Sequence, residues 1–165
     1  MIWVFAALFA VLCFFAWTII HELSHVAAAK LGPGVEWWKI KPYPHKNEYL
    51  GFVWASCRYR FSNTPTAKQE GWINFAPRLP DFLAAVLFPL GALMPWPFAL
   101  FWCIFFGAGL IDMFTGSLGI SKKSDLQRMI TNMRESGWIT HAWAFRMLYW
   151  VTILISVGVL LLIIL

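Results

Sequence analysis

A helix-length apolar run at the start of the chain limits what it can fold into. Ile2 to Ala29 holds no Asp, Glu, Lys, Arg or His except His21, Glu22 and His25, and it carries Trp3, Phe5, Phe9, Phe14, Phe15 and Trp17. About 20 mostly apolar residues suffice to cross a bilayer as a helix, so the run predicts a transmembrane span. A cleavable signal peptide is the competing reading, with Ala27-Ala28-Ala29 as its cleavage site. No Lys or Arg precedes the run, and it is too long for a signal core.

The rest of the chain extends this reading. With 165 residues, 60% of them hydrophobic and 13% charged, it is too apolar for an ordinary soluble domain, and residues 1–165 read as one integral-membrane domain. Hydropathy places four spans at about 2–29, 82–94, 96–115 and 142–165. The second is short and carries Pro89, and Pro95-Trp96-Pro97 reads as a tight turn into the third. Eight of the 13 Lys and Arg residues fall between Lys30 and Arg78 and four between Lys122 and Arg134. Both groups lie in loops on one side, as membrane topology requires, and do not form a nucleic-acid footprint. The positive-inside rule then predicts cytoplasmic loops 30–81 and 116–141 with both termini outside, in a bacterial-type inner membrane or a plasma membrane. Cys13, Cys57 and Cys103 show no CxxC pairing, which argues against a disulfide framework or thiolate zinc site.

The first loop alternates aromatic and β-branched segments with turn residues. Val35–Ile40, Gly51–Trp54 and Cys57–Phe61 predict two or three short strands, a small hairpin at the membrane surface, with an irregular interfacial aromatic loop as the alternative. The expected fold is thus an all-α polytopic membrane protein with about four transmembrane helices and a β-hairpin-like loop between the first two. Lys122 to Arg134 reads either as a short amphipathic helix bearing Leu126, Met129, Ile130 and Met133 on one side or as a solvated connector.

Ionisable residues inside a span cost about 2.5–3.5 kcal/mol each on insertion scales, so three within five positions need a compensating role. His21 and His25, four residues apart, share one helix face and can address a single ion. Glu22 is offset by about 100° and can reach water on that ion as a general base. Chance and a polar cluster that pins helices together are the competing explanations for this HExxH pattern. A catalytic zinc usually takes three protein ligands, so one is missing from the motif. Asp112 is the only other carboxylate within the predicted spans. Counted from the outer ends of their spans, His21 lies about 28 Å deep and Asp112 about 24 Å. His45, Glu48, Asp81 and His141 are rival ligands placed in loops.

These residues resemble the site-2 protease family of intramembrane zinc metalloproteases, through His21-Glu22-Leu23-Ser24-His25 and the Leu110-Ile111-Asp112 segment. The likeness covers about 100 residues, from the first span through the third. It implies Zn2+ bound by His21, His25 and Asp112, with Glu22 activating water to cut a peptide bond in or beside the membrane. A transmembrane protein would then be the substrate. Where the family commonly has Asn and Pro upstream of Leu-Asp-Gly, this chain has Gly107, Ala108 and Gly109 before Leu110-Ile111-Asp112, and Met113 follows. Asn74 and Pro77 are similar to another polar element of the family, with interfacial loop residues as the plainer reading. Two rival functions stand beside the peptidase: a noncatalytic membrane protein with a structural His2Asp site, and a metal-dependent hydrolase of a non-peptide substrate.

Overall fold

The computed structural model describes residues 2–47, 51–53, 55–118, 125–138 and 142–165. The protein is a mostly helical polytopic membrane protein with four helical stretches long and apolar enough to cross a bilayer. Helix α1 runs from Ile2 to Leu31, two residues beyond the sequence estimate. At 1.5 Å per residue it is roughly 45 Å long, about 15 Å more than a hydrocarbon core. Its N-terminal part exposes Trp3, Val4, Phe5, Leu8, Val11 and Leu12, a lipid-facing surface, whereas His25, Val26 and Ala29 near the other end are buried by protein.

Between α1 and the next helix the chain forms strands β1 (Val35–Lys41), β2 (His45–Asn47), β3 (Gly51–Val53) and β4 (Ser56–Phe61). They form one nested hairpin, in which β2 pairs antiparallel with β3 inside an antiparallel β1–β4 pair. Gly34 turns the chain with φ of 83°, a left-handed conformation that glycine adopts at no steric cost, and donates from its N–H to the Ala29 carbonyl. Ser62 N–H donates to the Gly34 carbonyl, so both strand ends are fastened beside the end of α1. The hairpin reading of the first loop holds. Trp54, one of its predicted strand residues, and Glu48, a rival ligand, lie outside the described residues.

The second span differs from its expected bounds. In place of 82–94, the apolar stretch is Ala67–Leu93, built from α2 (Ala67–Phe75), α3 (Arg78–Leu87) and a 3-10 turn (Phe88–Leu93). Thr66 starts it with a capping box, its hydroxyl accepting from Gln69 N–H at 3.3 Å while Gln69 Oε1 accepts from Thr66 N–H at 2.9 Å. Charged residues in the first half lower the hydropathy and hide it from a window average. Asp81, expected in a loop, is consequently a fully buried α3 residue. Pro95-Trp96-Pro97 turns the chain into α4 (Phe98–Leu118), and α6 (Ala142–Ile164) forms the last span.

Asp125–Glu135 forms helix α5 rather than a solvated connector. The four apolar residues of its sequence stripe, Leu126, Met129, Ile130 and Met133, are all buried, in a core with Met113 of α4 and Tyr149 of α6. The stripe is covered by protein, not by lipid headgroups. Asn132 Nδ2 donates to Glu70 Oε2 at 3.1 Å, and Met133 lies against Gly71, tying α5 to α2.

A second core joins Cys13 and Trp17 of α1 to Ala84 of α3 and Ala108 of α4. Gly109 sits at the crossing, where an added Cβ would stand 2.4 Å from Trp17 Cζ2 and 2.6 Å from Ala84 Cβ. Neither neighbour can yield without displacing a helix. Gly109→Val is expected to destabilise the protein by about 1–3 kcal/mol through overpacking, read as a lowered melting temperature in detergent.

Candidate metal centre

On α1, His21 and His25 point to one side with ring centroids 5.2 Å apart, as i,i+4 spacing dictates. Their ring nitrogens are divided between two kinds of partner. His21 Nδ1 lies 2.8 Å from Asp112 Oδ2, and His25 Nδ1 lies 2.8 Å from the carbonyl oxygen of Ile73. A carboxylate and a carbonyl only accept, so each Nδ1 carries the ring proton and donates it. Arg78 Nη2 also stands 3.1 Å from His21 Nδ1, but the shorter, charge-assisted contact with Asp112 decides the tautomer. In the neutral rings both Nε2 lone pairs are thereby free.

They converge on Asp125. Its Oδ2 is 3.1 Å from His21 Nε2 and 3.3 Å from His25 Nε2. With neutral rings whose Nδ1 protons are committed elsewhere, three acceptor atoms would face one another here, an arrangement that favours a cation among them. A proton on an imidazole or a metal ion among the three atoms relieves their repulsion. Zinc bonds of about 2.0–2.2 Å in tetrahedral array set ligand atoms roughly 3.3–3.5 Å apart, close to the spacings seen. His21, His25 and Asp125 are the group of described residues able to hold a metal ion. Asp125 lies outside the spans, and although burial would raise its pKa, the neighbouring His25 charge and hydrogen bonds from both imidazoles hold it well below the usual carboxylate range.

Asp112, expected as the third ligand, is brought to His21 but on the opposite ring nitrogen, where it orients the imidazole. The position facing both Nε2 atoms is filled by Asp125. Sequence alone gave Asp125 no distinction, because it lies in a polar segment, Lys122-Lys123-Ser124-Asp125. The stripe of Leu126, Met129, Ile130 and Met133 was the available signal, since a helix buried on that face carries Asp125 inward with it.

Pro77 explains the other imidazole. In a continuous helix the Ile73 carbonyl would accept from the N–H four residues on, but that residue is Pro77 and has none. The freed carbonyl takes the His25 Nδ1 proton. Asn74 Nδ2 donates to the Glu70 carbonyl at 2.8 Å, a local helix contact.

Behind His21 a buried ionic network links three helices. Arg78 Nη1 donates to Asp81 Oδ2 at 2.7 Å and to the Asp112 carbonyl at 3.2 Å, and it lies 3.3 Å from Asp112 Oδ2. Trp17 Nε1 donates to Asp81 Oδ1 at 2.8 Å. Asp81 is thus committed to Trp17 and Arg78. His45 is held by the Tyr43 carbonyl and Ser56 Oγ at 2.7 and 2.9 Å, and His141 lies outside the described residues.

Glu22 is partly exposed and lies close to the thiol of Cys57 in β4. Burial and then the Glu22 charge push the Cys57 thiol up, so it stays neutral. Tyr59, two residues along the same face, is pushed up by burial and by the nearby Cys57 and Asp125. One face of the β1–β4 sheet therefore roofs the His–Glu–Asp cluster. Comparison with family models, with curated proteins and with solved structures returns no match.

Removing Arg78 would leave Asp81 and Asp112 without their shared cation. Arg78→Met is expected to cost about 3–5 kcal/mol, as breaking a buried ion pair does, and to lower the melting temperature of the detergent-purified protein by more than Trp17→Phe, which removes one hydrogen bond.

Proposed function

We propose that this chain is a zinc-dependent peptidase that cuts peptide bonds at the boundary of the membrane, with His21, His25 and Asp125 as metal ligands and Glu22 as general base. The observation that carries it is the convergence of two imidazole Nε2 atoms on one carboxylate oxygen, at 3.1 and 3.3 Å, while both Nδ1 atoms are engaged elsewhere. Nitrogen and oxygen donors, three in number, are the ligand set of a catalytic zinc with one open position. A bound zinc would lower the pKa of water toward about 7 and polarise the carbonyl under attack.

The remaining work falls to the side chains. Glu22, one position along α1 from His21, accepts the proton of the attacking water and returns it to the leaving amine. The Cys57 thiol lies beside the Glu22 carboxylate on the side of the sheet. Asp112 and Ile73 O hold the imidazoles in the tautomer that leaves Nε2 free. A helical substrate keeps its carbonyls in internal hydrogen bonds, so it must unwind before it can be cut. The β1–β4 pair has no further strand on either side among the described residues, and an unwound segment can pair with such an edge.

The resemblance to site-2 proteases supports this reading through the HExxH motif and through Asp112, whose place in this chain is to orient His21. A variant panel separates the roles. Zinc content of purified Asp125→Ala should fall as far as that of His25→Ala, whereas Asp112→Asn should lose about 10–100-fold in affinity and refill at high zinc. Glu22→Gln should hold a full equivalent of zinc and cleave nothing. Undiminished cleavage by Glu22→Gln would overturn hydrolysis and leave a structural metal site.

The segregation of Lys and Arg supports a topology with both termini outside and the metal centre at the cytoplasmic boundary. In a background without Cys13, Cys57 and Cys103, single cysteines at Lys46 and Glu135 should resist a membrane-impermeant maleimide in intact cells. Labelling of either from outside would reverse the orientation.

A further inference from the structure

The face of the β1–β4 sheet turned away from the metal centre is a second site of a different kind. Residues directly opposite in an antiparallel pair share a face, and the register sets Trp37 against Arg60, Lys39 against Arg58 and Lys41 against Ser56. The intervening pairs, Trp38 with Tyr59 and Ile40 with Cys57, make up the face that covers Glu22. All four cations of the sheet thus lie on its outer face, and Lys39, Arg58 and Arg60 are exposed.

Arg60 has a partner in Glu36 at 3.2 Å, but among the described residues no carboxylate pairs with Lys39 or Arg58. Like charges directly opposite one another destabilise a sheet, more so in a pair of strands with little else to hold it. A ligand that bridges them removes that penalty. Beside them Trp37 is 50% exposed, an amphipathic ring of the type that settles at headgroup level.

The level of the sheet identifies the ligand. Its open ends are fastened beside Ala29 and Gly34, while Cys57 reaches Glu22, so the strands fold back along the last turns of α1 toward the bilayer. Lys39 and Arg58 are one residue along from Ile40 and Cys57 and so lie near the level of Glu22, which at 1.5 Å per residue is about 30 Å along α1 from Ile2, the thickness of a hydrocarbon core. We infer that the outer face of the β1–β4 sheet binds the phosphate of an anionic phospholipid between Lys39 and Arg58, with Trp37 in the headgroup layer. Binding there holds the sheet against the membrane and needs neither the metal nor hydrolysis.

The test uses the full chain in a neutral detergent, with phosphatidylglycerol and phosphatidylcholine offered at equal load and bound lipid counted by native mass spectrometry. The intact protein should retain phosphatidylglycerol preferentially. Lys39→Ser/Arg58→Ser should weaken this by about thirtyfold, the effect of two basic side chains at an anionic surface. Lys68→Ser/Arg134→Ser, an equal loss of charge elsewhere, should stay within about twofold. Lys39→Arg/Arg58→Lys, which keeps charge and fold, should bind as the parent does. Equal retention by Lys39→Ser/Arg58→Ser, or loss in the charge-preserving swap, would overturn the site. Displacement of the lipid by an equal concentration of inorganic phosphate or of an acidic peptide would show another occupant and overturn it as well.

Discussion

The buried ion network around Arg78 is the constraint on which the rest of the structure depends. One guanidinium on α3 faces the side chain of Asp81 on its own helix and both the side chain and the backbone carbonyl of Asp112 on α4, while Trp17 from α1 satisfies the far oxygen of Asp81. Charges taken out of water carry a desolvation penalty of several kcal/mol per ion, which only close geometry and full hydrogen bonding can offset. Asp81 comes from the same helix as Arg78, but Trp17 and Asp112 come from two others, so the full offset exists only when α1, α3 and α4 are in register. The lipid-facing sides of these helices supply no such information, because hydrocarbon is as apolar as the side chains it meets. Polar contacts fix the arrangement that apolar ones leave loose.

Close backbone approach makes the network possible. An added Cβ on Gly116 would stand 2.6 Å from Arg78 Nη1, so α4 presents bare backbone where the guanidinium passes. Gly109 does the same for Trp17 two turns earlier along α4. The network in turn sets His21: Asp112, drawn toward Arg78, accepts the Nδ1 proton and thereby turns Nε2 toward Asp125. Orientation of the His21 imidazole is thus coupled to the register of the helix bundle.

What could be read from the sequence follows the range of the physics. The HExxH spacing, the apolar runs and the strand-like aromatic segments are local patterns, and the helices and hairpin appear where those patterns lie. Asp112 stood out because a carboxylate in an apolar run is costly, and it does reach His21. Asp81 was hidden because α2 is nearly as polar as apolar, so averaging moved the start of the second span past it. Asp125 was hidden for a different reason: its partners, His21 and His25, are 104 and 100 residues away, and only the docking of α5 on α2 brings them together. Long-range placement of a polar residue leaves no mark in a hydropathy pattern. Pro77 is intermediate, visible as a helix break, but with the carbonyl it frees meaningful only once His25 is known to lie beside Ile73.

The two aspartates on His21 therefore differ in kind, although both lie within hydrogen-bond distance of the same ring. Asp112 is anchored by Arg78 within the bundle and has one fixed geometry, which suits a group that must hold a tautomer. Asp125 is delivered by a separate helix whose hold on the protein is the apolar stripe from Leu126 to Met133 and the Asn132–Glu70 bond. Asp125 therefore faces the two imidazoles only when α5 is docked. An ion among His21, His25 and Asp125 would add its own bonds to that docking, since the energy of binding a metal is also energy of assembling its ligands. The rigid half of the site is built by ion pairs at membrane depth, and the half that completes it by a short amphipathic helix outside the spans.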